Sequence, residues 1–73
     1  MSEKPDELKK LEAIATDMEL AGKMRAQAID QIGEIGTHEA LLILLNLIAN
    51  EKLSIDDRER ALKQAREIVR KGR

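Results

Sequence analysis

The run Ala40 to Ala49, ALLILLNLIA, constrains the fold more than any other part of the chain. Nine of its ten residues are aliphatic and only Asn46 is polar. An ordinary surface helix carries one apolar stripe and a charged opposite face. A helix apolar nearly all round must be covered on several sides. A chain of 73 residues has little to cover it with, because a domain of this size buries only about 60% of its unfolded surface. The usual staples are missing. There is no Cys, hence no disulfide and no thiolate ligand, and there is a single His. No zinc site is expected from that set, and no cofactor. Phe, Trp and Tyr are absent, so the core has to be built from Leu, Ile, Ala, Met and Val. Oligomerisation is the remaining common way to stabilise so small a domain.

Charge excludes little by itself, since the formal net charge is −1. Its distribution is uneven. Residues 1–36 carry eight acids and five bases, and residues 37–73 carry six acids and eight bases. The charged start MSEKPDELKK has no apolar stretch behind it, so it does not read as a signal peptide. The 40–49 run is shorter than the roughly 20 residues that span a bilayer. A cytoplasmic location with no membrane contact is the expectation.

Every long segment has helical periodicity and none alternates as a strand does. Pro5 suits a first helical turn, where its missing N–H costs nothing, and Asp6 and Glu7 favour the positive end of the helix dipole. Leu8, Leu11, Ile14, Ala15 and Met18 share a face, which predicts helix 1 over about 5–18. Helix 2 is predicted over about 23–35, with Met24, Ala28, Ile29, Ile32 and Ile35 apolar and Gly36 ending it in a left-handed conformation. Thr37 is placed to cap helix 3, about 38–50, which Asn50 closes. Ser54 with Asp57 fits a variant capping box for helix 4, about 55–71. Its buried stripe is expected to be Ala61, Leu62, Ala65, Ile68 and Val69.

The chain also repeats. A shift of 33 lays residues 6–38 over 39–71 and aligns eight identities: Leu8 with Leu41, Leu11 with Leu44, Leu20 with Leu53, Arg25 with Arg58, Ala28 with Ala61, Gln31 with Gln64, Glu34 with Glu67 and Ile35 with Ile68. A two-helix unit of this length is the mark of an α-hairpin array. The expected architecture is a single all-α domain of four helices, as two tandem antiparallel α-hairpins over about 6–38 and 39–71.

Met24 to Gly36, MRAQAIDQIGEIG, followed by THEALLILLNLI, resembles the HEAT-like repeats of the bilin-lyase type. Arg25, Ala28, Ile32, Gly33, Ile35 and Gly36 match in order, and Ala40, Leu41, Leu44 and Leu45 continue the match. Helix 4 departs from the pattern, with Arg66 and Val69 in place of the two glycines. The 33-residue period is shorter than the range of about 40–47 for such arrays. The resemblance implies a curved two-layer helical stack that binds proteins, and no catalytic residue. Gly33 has its own physical reading. Glycine inside a helix costs about 1 kcal/mol against alanine, and close approach of a second helix is the favoured reason for it here.

Nothing in the chain composes an enzyme site. A nucleophile needs a neighbouring base, and the hydroxyls are Ser2, Thr16, Thr37 and Ser54, two of which already serve as caps. His38 opens helix 3, where exposure is expected. Asp56 and Asp57 read as first-turn acids. On helix 4, Lys63, Arg66 and Arg70 fall at i, i+3 and i+7, with Lys71 and Arg73 beyond. They offer a binding site for an anionic partner, nucleic acid or an acidic protein face. Solvated cations near a helix C-terminus are the favoured reading, because strong basic excess and aromatic stacking platforms are both missing.

The repeat sharpens the anomaly of the third helix. Lys9, Lys10 and Glu12 of the first unit become Leu42, Ile43 and Leu45 of the second. A water-facing surface in one unit is aliphatic in the next, and exposed patches of several hundred Å² usually mark an interface. Two repeats are also fewer than the three or so that a stack needs. The expectation is a non-enzymatic protein–protein interaction module that binds a protein partner or a copy of itself, with a homodimer favoured. For the apolar surface itself, the other reading is a central helix 3 covered within the monomer by helices 1, 2 and 4. Leu42, Ile43, Leu45 and Asn46 would form the contact. The anion-binding module through Lys63, Arg66, Arg70 and Lys71 is the alternative, and a designed scaffold without a ligand is a further one.

Overall fold

Helix boundaries follow from local chemistry. In the computed structural model, which describes residues 4–72 and side chains from Glu7 onward, the chain is all-α with four helices. They are α1 (Lys4–Ala15), α2 (Gly22–Ile35), α3 (His38–Ala49) and α4 (Ile55–Lys71). Thr37 is extended, and its Oγ1 accepts from the Ala40 N–H at 3.1 Å. Ser54 Oγ does the same for Asp57 N–H at 3.1 Å. Each hydroxyl satisfies a first-turn donor that has no partner inside its helix. Gly36 ends α2 at φ 67°, ψ 15°, a left-handed conformation that an added Cβ would strain.

Helix α1 stops at Ala15, three residues short of the periodic apolar pattern. The loop chemistry wins there. Thr16 Oγ1 turns back to the Glu12 carbonyl at 2.9 Å, and Asp17 Oδ1 accepts the Glu19 N–H at 3.0 Å. Asp side chains compete with the helical ladder in this way. Met18 therefore leaves the face it was assigned to and is exposed, and Met24 at the start of α2 is exposed as well. The α3–α4 loop carries the same turn. Asn50 Oδ1 accepts the Lys52 N–H at 2.9 Å, and the Asn50 carbonyl accepts the Leu53 N–H at 3.1 Å, matching Leu20 N–H to the Asp17 carbonyl at 3.1 Å.

Helix α1 packs on α2, α3 packs on α4, and α2 packs along α4 and less closely on α3. Ile29, Ile32, Leu44 and Leu47 are the large side chains fully buried where these elements meet. Leu8, Leu11, Ala15, Ala28, Ala40, Leu53, Ala61 and Ala65 complete the core. Two alanines of α4 face it, so α2 and α4 can lie close together. Gly33 faces Gln64 across this seam, where an added Cβ would lie 2.9 Å from Gln64 Cβ. Close packing is the reason for this mid-helix glycine.

The α2–α4 seam is polar as well as small. Arg25 Nε donates to Asp57 Oδ2 at 2.8 Å, with both side chains buried, and Arg25 NH1 donates to the Leu20 carbonyl at 2.7 Å. Further along, Asp30 accepts from Arg60 NH1 at 2.8 Å and from Gln64 Nε2 at 3.0 Å.

Candidate interaction surface

Helix α3 meets α4 on one side and α2 beneath, so its outward side lacks a cover. Leu42 and Leu45 lie there, 47% and 46% exposed, with Asn46 also exposed. Ile43 has a different place: it is half-buried and packs against the core. Of the four predicted contact residues, the structure puts three on the outer side of α3 and tucks one beneath them.

Sequence periodicity misassigned part of α4. Leu62 and Val69 were expected in its buried stripe, yet they are 41% and 60% exposed, and Ile55 is 69% exposed. Ala61 and Ala65 are buried and Ile68 packs on the core as expected. The reason is rotational. Ile55, Leu62 and Val69 recur every seven residues, and that line lies on the outer side of α4, beside α3 rather than in the seam with α2. Helix α4 thus has an inner stripe rich in alanine and an outer stripe of large aliphatics.

The two exposed sets are joined. One apolar groove runs between α3 and α4, lined by Leu41, Leu45, Leu62, Ala65 and Val69 with Arg66 and Arg70 on its rim. A second lies at its end, between Ile48, Ile55, Arg58 and Leu62. On the opposite side of α3, Leu42 and Ile43 form a further groove with Leu8, Lys9, Glu12 and Glu39 of α1 and α3. Leu42 reaches this groove and Leu45 the one beside α4, so α3 forms the ridge between them.

The cations of the alternative site do not converge on one surface. Arg66 and Arg70 edge the apolar groove, while Lys63 lies among Asp30, Asp56, Glu59 and Arg60. Lys71 borders a third depression near Gly33, Glu34 and Glu67. Arg70 is already engaged, donating to Glu67 Oε1 at 2.7 Å. That hydrogen bond, with the charge of Arg70, holds the Glu67 carboxyl below its ordinary range. His38 is exposed at the start of α3. Among the described residues no group of three or more His, Cys, Asp or Glu could hold a metal ion. No helix of the described residues is long and apolar enough to cross a membrane.

The residues that sequence reasoning missed are Arg25 and Asp57 as a pair. Arg25 was noticed for its repeat with Arg58, and Asp57 for its place in a first turn. Their separation of 32 residues lies one short of the 33-residue shift, the spacing that the expected repeat would give to a contact between neighbouring units. Arg58 behaves differently from its counterpart, donating from Nε to the Ile48 carbonyl at 2.8 Å. Comparison with protein-family models, with curated proteins and with solved structures finds no match for the chain.

Proposed function

We propose that the chain is a non-enzymatic protein–protein interaction module that associates with copies of itself through the outer surface of α3 and α4. Two HEAT-like α-hairpins form its scaffold in this reading, and the cytoplasm is its compartment. One observation carries the proposal. Of the seven large hydrophobic side chains exposed among the described residues, five (Leu42, Leu45, Ile55, Leu62 and Val69) lie on these two helices. Four of them, Leu45, Ile55, Leu62 and Val69, line adjoining grooves between α3 and α4. Contiguous aliphatic surface gains about 25 cal/mol for each Å² removed from water, whereas scattered side chains need no explanation.

Sedimentation equilibrium over a wide concentration range tests this directly, with interference optics because the chain has no Trp, Tyr or Phe. The expected result is a molar mass that rises toward a dimer. The double variant Leu42→Lys with Leu45→Lys should stay helical and associate at least about tenfold more weakly. A wild-type protein that is monomeric to millimolar concentration would sink the self-association reading.

A further inference from the structure

Leu62 corresponds by the 33-residue shift to Ile29, and Ala65 corresponds to Ile32. Ile29 and Ile32 are fully buried in α2, which packs on both α1 and α4. Helix α4 packs on α2 and α3, and among the described residues no further helix lies beyond it. The side of α4 that bears Leu62 is therefore the side that, one unit earlier, takes a helix. On α4 it has the pattern of a helix-pairing seam. Ile55, Leu62 and Val69 are spaced by seven, and Arg58 and Ala65 fall between them at three and four residues, the alternation that sustains a two-helix seam. Arg58 breaks the apolar run only in part, since its guanidinium is turned onto the Ile48 carbonyl and its methylene stem lines the groove.

We propose that α4 pairs antiparallel with α4 of a second copy, about a two-fold axis near Leu62. This deepens the self-association reading above and rests on it. The flanking charges choose both the occupant and its direction. Glu59 and Arg66 are exposed and flank the stripe at the rims of the two grooves it lines. An antiparallel mate centred on Leu62 sets Ile55 against Val69 of the copy and Glu59 against its Arg66. Two-fold symmetry makes that ion pair twice. A parallel mate would set the flank that bears Glu59 and Arg66 against the opposite flank of the copy, and that ion pair would not form. The small Ala65 gives room for Leu62 of the other chain, and Leu45 of α3 closes the groove from the side.

The test is a charge swap read by sedimentation equilibrium on the full chain, with helicity monitored by circular dichroism. Leu62→Glu should leave a folded monomer, since Leu62 is exposed in the single chain. Glu59→Arg and Arg66→Glu should each weaken dimerisation about tenfold, the upper end for two exposed ion pairs replaced by like charges. The double variant should restore wild-type association. Larger species instead of a dimer would overturn the two-fold arrangement. So would a dimer indifferent to Leu62→Glu, or a charge swap without rescue. If Leu42→Lys alone dissociates the protein while Leu62→Glu does not, the contact lies on α3 and the α4 pairing is wrong. A chain that stays monomeric throughout overturns both readings.

Discussion

Gly33 and Gly36 lie three residues apart and do opposite things. Gly36 is required by its own backbone, which turns left-handed to end α2. Gly33 is helical and is required by its neighbour, because α4 leaves no room for a methyl group. Alanine at an unhindered helical position would stabilise by about 1 kcal/mol. At position 33 the added carbon meets Gln64 Cβ, and overpacking of this kind costs about 1–3 kcal/mol. Gly33→Ala should therefore lower the melting temperature by several degrees, which thermal denaturation followed by circular dichroism would show. A rise would mean that the α2–α4 seam yields more easily than its packing implies. Glu67 belongs at this scale too. Its carboxyl is held low by Arg70, so the small favourable effect of the pair is present above the unfolded carboxylate range and fades as pH falls through the folded value.

The four helices differ in how well they begin. Ser54 and Ala21 occupy corresponding places in their loops and have nearly the same backbone, φ −67°, ψ 162° and φ −61°, ψ 148°. Ser54 caps α4 with its hydroxyl, whereas Ala21 offers α2 no side-chain acceptor. Ala21→Ser should add a side-chain acceptor beside the Ala21 carbonyl, which now takes the Met24 N–H at 2.9 Å, and stabilise the protein by about 0.5–1 kcal/mol, measured by urea denaturation. Features of this kind were legible in the sequence because caps and glycine turns act over three or four residues. Thr37, Ser54 and Gly36 were read correctly for that reason. The end of α1 was not, because the apolar period runs on through Met18 while Asp17 and Thr16 stop the helix. Nor was the orientation of α4, since Leu62 and Val69 satisfy helical spacing as well as Ala61 and Ala65 do. Spacing gives the faces of a helix. Only its neighbours decide which face is inside.

Across the whole molecule the buried Arg25–Asp57 bridge ties the α2 and α4 halves together. Removing one partner leaves an unpaired charge out of water and should cost about 3–5 kcal/mol, so Arg25→Met alone should nearly unfold so small a chain. Arg25→Met with Asp57→Leu should recover most of the loss. A double-mutant cycle by chemical denaturation gives the coupling, and independent, additive effects would contradict the geometry. This bridge has a consequence for uniqueness. The buried apolar residues are Ala28, Ile29 and Ile32 on α2 and Ala61 and Ala65 on α4, and a sliding of α4 by one turn would still bury oil against oil. It would not return Asp57 to Arg25. We predict that the double variant keeps its helicity and its stability but loses a single registry, with broadened methyl resonances in NMR spectra. Sharp, wild-type-like methyl signals would show that the rest of the seam, with Gly33 against Gln64 and Asp30 bonded to Arg60 and Gln64, fixes the alignment without the bridge. In a protein without aromatic side chains to act as keys, one arginine and one aspartate would be the lock.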